Sequence, residues 1–169
     1  GVTLRVDRPW RVVPDATSRV VLQVMYRQNI VYANTVDTGR LDPDHKSILM
    51  DLSEQHLYAY QGGQLVYSFV ASSGRTPSVT VPGEYQVQSK VPQAYGASWN
   101  IWMPYWLGIY WAGTLENGIH ALPVLPNGQT LWAGYLGTPI SFGCIVLGTH
   151  DAALLYEWAE IGTPVTVRW

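Results

Sequence analysis

The sequence predicts a mainly β domain of sandwich or barrel-like form with one late helix. Three observations carry that expectation. From Lys46 onward, short strand-like runs are separated by turns containing Gly and Pro. Only one stretch, near the C-terminus, repeats its apolar residues at helical spacing. A last strand-like run follows it and closes the chain.

Residues 1–45 read as an N-terminal segment or linker, either the remnant of a preceding domain or an added sheet edge. Val20–Tyr26 is strand-like, and the Gly, Pro and Asp of residues 37–44 mark a loop. The main domain spans 46–169. Ser47–Leu52 predicts a strand. Gln55–Tyr60 and Gln64–Ala71 flank Gln61-Gly62-Gly63 and predict a hairpin. Residues 72–83 are loop-like, and Pro82-Gly83 predicts a tight turn before a strand over Glu84–Ser89. Residues 91–118 hold seven aromatics between Tyr95 and Trp111, mixed with Gly and Pro. They read as a long structured loop or flap, or as a Trp-rich minicore packed on the sheet. Asp151–Glu160 predicts the helix, with Thr149 as N-cap, Ala152, Leu155, Trp158 and Ala159 as its apolar stripe, and Gly162 ending it. Pro164–Arg168 predicts the closing strand.

Composition narrows function. At 169 residues, the chain is long enough for one sizeable core. Charged residues are only 13%, which excludes a disordered, highly charged tail. Eight Trp and eleven Tyr against two Phe suggest binding surfaces, because Tyr and Trp join an apolar body to a polar handle. Six of the ten basic residues fall in the first forty positions, and none lies between Lys90 and Arg168. With a net charge of −2, nucleic-acid binding is not expected. No apolar run is long enough for a transmembrane helix. The chain opens on Gly1, and we read it as a mature form or a cut piece whose targeting signal is not in view.

The chemistry converges on one thiol. Cys144 is the single cysteine, so it forms no internal disulfide. It is either a small buried hydrophobe or a nucleophile. Gly143 before it permits a tight turn and close substrate approach, and amides around such a turn can face an oxyanion. Four His are candidates for its base. His45 sits in the linker, His56 in a hairpin strand, and His150 at the helix start. His120 ends the aromatic segment and is the sensible partner. No metal or nucleotide motif is present, so no metal or cofactor is expected.

The chain resembles the YkuD-like family of L,D-transpeptidase catalytic domains from about Lys46 to Val167. ILMDLSEQHLYAYQGGQLVYSFVASSG looks like the first strands of that family, and RTPSVTVPGEYQV like its Thr-Pro…Pro-Gly-x-Tyr loop. MPYW and GIH stand where the family has its pre-catalytic loop and its His. SFGCIVL stands where it has Ser-His-Gly-Cys, and DAALLYEWAEIGTPVTV resembles the helix and strand that follow. The resemblance implies a YkuD-like β-sandwich or barrel-like catalytic domain over 46–169 that acts outside the cytoplasm on peptidoglycan stem peptides, as donor and acceptor. Cys144 would be the nucleophile and His120 its base, oriented by the carbonyl of Ala121. Ser141 and Gly143 would shape the turn, with backbone amides near Gly143 and Cys144 forming the oxyanion hole. Two positions depart from the pattern: Phe142 replaces a His, and Val146 replaces a polar residue beside the nucleophile.

The implied reaction is 3→3 cross-linking through a Cys144 thioester, with carbapenem-type β-lactams as covalent inhibitors. Two other readings stand beside it: an L,D-carboxypeptidase that uses water as acceptor, and a non-catalytic peptidoglycan-binding pseudoenzyme. Trp99, Trp102, Tyr105, Trp106, Tyr110 and Trp111 are expected to line the substrate groove or form a lid. With no cation in that half, recognition of stem carboxylates falls to backbone amides, His, Tyr, Trp, or Arg75 and Lys90 reaching in.

Overall fold

A computed structural model describes residues 8–14, 19–26, 29–37 and 44–169. The chain divides into two compact units, Gly1–His45 and Lys46–Trp169. In the first unit, β1 (Arg8–Pro14), β2 (Arg19–Tyr26) and β3 (Asn29–Asp37) form an antiparallel sheet in the order β1-β2-β3. The strand expected over Val20–Tyr26 lies within β2. Most of the loop expected over 37–44 lies outside the described residues.

The second unit is a curled sheet of nine strands with one helix. Its strands are β4 (Lys46–Asp51), β5 (His56–Gln61), β6 (Gln64–Ser72), β7 (Gly83–Gln86), β8 (Ser89–Gly96), β9 (Ile101–Ala112), β10 (Leu115–Ala121), β11 (Ile145–Leu147) and β12 (Pro164–Arg168). α1 (Thr149–Trp158) lies between β11 and β12. The strand order is β7-β12-β4-β5-β6-β11-β10-β9-β8. Most neighbours are antiparallel, but β10 pairs parallel with β11 and β4 parallel with β12.

The pleat explains the core. Ile48 and Met50, Leu57 and Ala59, Phe69 and Ala71, Ile119 and Ala121, Ile145 and Leu147, and Val165 and Val167 alternate along their strands and are all buried. Ala152, Leu155 and Ala159 from the helical segment join the same cluster. Each fully buried aliphatic side chain contributes on the order of 2 kcal/mol.

Four sequence expectations need correction. Residues 91–118 are not a loop: they supply most of β8, all of β9 and the start of β10. Their Pro residues misled. Pro92 lies on the outermost strand, and Pro104 lies in the half of β9 that β10 does not reach, where a missing N–H breaks fewer ladder bonds. The strand expected over Glu84–Ser89 ends at Gln86, and Ser89 opens β8. Thr149 is the first helical residue rather than the N-cap. Gly148 holds that place, and its carbonyl accepts the Ala152 N–H at 2.9 Å. The helix stops at Trp158. Gly162, at φ 90°, serves the turn that follows, where the Glu160 N–H donates to Thr163 Oγ1 at 3.0 Å.

Candidate active site

The parallel pairing of β10 with β11 brings the segment that carries Cys144 beside the strand that carries His120. His120 stands opposite Val146 and Ile119 opposite Ile145. Cys144, just before β11, therefore comes beside the strand that carries His120. The Gly118 amide reaches its sulfur and favours the thiolate. Twenty-four positions of sequence separation collapse to one strand spacing.

The turn before Cys144 is built around a glycine. Gly143 has φ 123°, and a Cβ there would fall 2.6 Å from Asn117 Oδ1. Its N–H donates to Ser141 Oγ at 3.2 Å, and its carbonyl accepts Thr80 Oγ1 at 2.9 Å and the Tyr110 hydroxyl at 3.4 Å. Ser141 Oγ donates in turn to the Cys144 carbonyl at 2.5 Å. Ser141 is anchored by its own N–H on the Ser73 carbonyl at 3.1 Å. Gln55, buried and remote in sequence, holds Ser73: its Oε1 accepts the Ser73 N–H at 2.8 Å, and its Nε2 donates to Ser73 Oγ at 2.8 Å and to the Leu52 carbonyl at 2.7 Å. Nothing in the spacing of Gln55 marked that role.

His120 is 2% exposed. Its Nδ1–H donates to the Ala121 carbonyl at 2.6 Å, which leaves Nε2 to act as base. The Trp106 indole stacks on the ring, with centroids 5.7 Å apart. Burial lowers its pKa to about 4, against which the Ala121 carbonyl works. Burial also raises the Cys144 thiol to about 11, with the Gly118 amide lowering it and the Glu116 carboxylate raising it. Both shifts favour the neutral form of the group concerned. The thiol donates to Asn117 Oδ1 at 3.6 Å. A bulge at Ile109 shifts the β9–β10 register between Asn117 and Gly118, and bulges of this kind re-aim side chains beside active sites.

Cys144 and His120 open into one cleft of ≈ 710 Å³. Ser141, Phe142 and Gly143 line it, as do Trp99, Trp106, Tyr110 and Trp111 from the aromatic segment. Trp102 and Tyr105 do not. Trp102 packs on Tyr95 at 4.7 Å, and Tyr105 packs on Tyr156 of the helix at 5.8 Å. Val146 is also outside the lining: it is fully buried in β11, hydrogen-bonded into the sheet between β6 and β10. Ala121 is buried and supplies its carbonyl. Of the other His, His56 bonds Ser68 Oγ across its hairpin at 2.8 Å, and His150 is exposed.

Phe142 has a place of its own. Its ring stacks on Trp99 at 5.7 Å with planes 7° apart, meets Trp132 edge-on at 6.5 Å, and carries the Arg75 guanidinium 5.4 Å from its centre. Lys90 does not reach the cleft: its ammonium donates to the Ala159 carbonyl at 2.8 Å and lies over Tyr156.

Residues 45–167 match the YkuD family, the L,D-transpeptidase catalytic domain. No curated protein matches the chain. Among solved structures, the L,D-transpeptidase (Yku) from Stackebrandtia nassauensis is 24% identical with a TM-score of 0.60, covering 75% of this chain and 56% of its own. An L,D-transpeptidase from Mycobacterium smegmatis is 19% identical with a TM-score of 0.63, covering 95% of this chain and 78% of its own. L,D-transpeptidase 3 from Mycobacterium tuberculosis, in complex with a faropenem-derived adduct, is 23% identical with a TM-score of 0.60, covering 92% of this chain and 69% of its own. The chain thus spans little more than half of the Stackebrandtia protein.

Proposed function

This chain belongs to the YkuD family of L,D-transpeptidase catalytic domains, and from that membership we propose that it transfers acyl groups between peptidoglycan stem peptides through Cys144, forming 3→3 cross-links outside the cytoplasm. The observation that carries the proposal is the seating of Cys144 and His120 in one aromatic-walled cleft, with His120 Nδ1 committed to the Ala121 carbonyl.

The mechanism follows from the protonation states. The thiol attacks the carbonyl of the third stem residue as His120 Nε2 takes its proton, so no free thiolate accumulates. The developing oxyanion meets the Cys144 N–H. The Gly143 N–H, expected from the sequence to share that task, is held by Ser141 Oγ. The C–N bond breaks, the terminal D-alanine leaves with the proton from His120, and a thioester remains on Cys144. An amine of a second stem then attacks the thioester carbonyl. His120 takes the amine proton and returns it to the departing sulfur. No metal or cofactor enters these steps.

Intact-mass measurement after adding a carbapenem tests the reading. One covalent adduct is expected on the chain and none on Cys144→Ala. An adduct that survives that substitution, or none on the parent chain, overturns it. With a tetrapeptide donor and an added amine, the expected product is the cross-linked amide. Release of tripeptide alone would assign the carboxypeptidase reaction.

A further inference from the structure

Among the described residues, the cleft holds a carboxylate with no cationic partner. Glu116, on β10, lines the same cavity as Cys144. Its Oε1 accepts the Gln88 Nε2 amide at 2.9 Å and Ser89 Oγ at 2.9 Å. Ser89 Oγ also accepts the indole N–H of Trp106 at 3.2 Å, and Trp106 stacks on His120. Room for the carboxylate is reserved: a Cβ on Gly108 would lie 2.2 Å from Glu116 Oε1 and 2.2 Å from Ser89 Oγ. All of these donors are neutral. Among the described residues the two ion pairs, Lys46–Glu160 and Arg168–Asp51, involve other groups. A carboxylate fixed by neutral donors, in a wall without Lys or Arg, lacks a counterion among the described residues.

We propose that Glu116 receives the primary ammonium of the acceptor stem, and so sets the acceptor specificity of this cleft. The inference rests on the acyl-transfer reading above. That reaction needs a donor carbonyl at Cys144 and an amine brought to the resulting thioester. An alkylamine is cationic at neutral pH, so capture by a carboxylate concentrates it at the cleft. It attacks as the free amine once it has released a proton to water. Glu116 is in electrostatic reach of the thiol, because its charge works on Cys144. The Trp106 edge that contacts Ser89 ties the acceptor end of the cleft to the His120 end.

The test compares two nucleophiles on the Cys144 acyl-enzyme formed from a tetrapeptide stem: Nα-acetyl-lysinamide, a cation, and hydroxylamine, uncharged at neutral pH. Glu116→Gln keeps the shape and the accepting oxygen but removes the charge. It should raise KM for the lysine derivative about tenfold, the loss of one charge-assisted contact. KM for hydroxylamine should stay within about twofold on the same scale. Ser89→Ala, which loosens the carboxylate, should move the same ratio in the same direction by less. Added salt should weaken only the cationic acceptor on the parent chain. Equal changes for both nucleophiles, no change for either, or a parent acyl-enzyme that yields only to water would overturn the role of Glu116 while leaving Cys144 acylation intact. Absence of any acyl-Cys144 by mass would overturn the acyl-transfer reading and this inference with it.

Discussion

His120 and Cys144 are pushed by burial in opposite directions, and the sign of each push sets a pH dependence. The imidazole falls from 6.5 to about 4. As pH drops below 6.5, the unfolded chain takes up a proton that the folded chain refuses. Stability therefore falls across the window from 6.5 to about 4, by a total on the order of 3 kcal/mol. The thiol rises from 9.0 to about 11, so stability also falls as pH climbs past 9.0, where unfolded chains ionise first. β-Lactam acylation should stay nearly flat above pH 6.5 and decline only as His120 protonates near pH 4. A rate that halves near pH 6.5 would show that an exposed imidazole is the base. Gly143 gives a second residue-scale prediction. Gly143→Ala meets both the φ of 123° and the Asn117 oxygen, and should cost on the order of 1–3 kcal/mol. Adding Asn117→Ala removes the clash but not the backbone strain, so it should restore only part of the melting temperature and acylation rate. Cys144 and Gly143 stood out in the sequence as a lone thiol after glycine, and His120 through the order of motifs in the family resemblance; the structure places all three on one cleft. Asn117, Gln55 and Glu116 did not stand out. Their roles depend on a one-residue bulge, a clamp between segments apart in sequence and a bare glycine opposite, none of which leaves a periodic trace.

At the scale of elements, the aromatic segment was the hardest to read. Its Gly and Pro punctuate as a loop would, yet β8 and β9 form a hairpin at the sheet edge whose turn presents Trp99 to Phe142. The sequence reading treated six aromatics as one lining set. Strand geometry divides them: Trp99, Trp106, Tyr110 and Trp111 face the cleft, while Tyr105 serves the helix and Trp102 serves Tyr95. That division changes which substitution tests water exclusion. Trp106 stacks on His120, so its truncation disturbs the proposed base itself. Trp99 lines the cleft, stacks on Phe142 and belongs to the hairpin turn. Trp99→Ala and Phe142→Ala should each open the mouth and raise the ratio of hydrolysis to amine transfer about threefold, with Cys144 still acylated. Product ratios at fixed acceptor concentration check this. An unchanged ratio in both variants would remove the stacked pair from any role in excluding water.

At the scale of the whole molecule, the scarcity of charge acquires a physical meaning. Residues 46–169 carry four Lys and Arg, and three of them are structural. Lys46 pairs with Glu160, Lys90 donates to the Ala159 carbonyl, and Arg168 pairs with Asp51. Two of these fasten the chain just past α1 and the third ties β12 to β4, so the helix–strand return that follows Cys144 is pinned from outside the cleft. Arg75 alone lies over a cleft-lining ring. The order of strands was not legible from pattern. Two parallel pairings, β10 with β11 and β4 with β12, join segments far apart in sequence, and period-two alternation is blind to which strands meet. The buried cluster that these pairings enclose runs from Ile48 to Val167, within the compact unit Lys46–Trp169. We therefore expect residues 46–169, expressed alone, to fold with the same core. Its melting temperature should lie within about 4 °C of the main transition of the whole chain, a shift corresponding to roughly 1 kcal/mol or less. Its β-lactam acylation rate should match within about twofold, since the cleft lining falls entirely between Ser78 and Cys144. Failure of 46–169 to fold, while the whole chain acylates normally, would show that the first forty-five residues complete the domain.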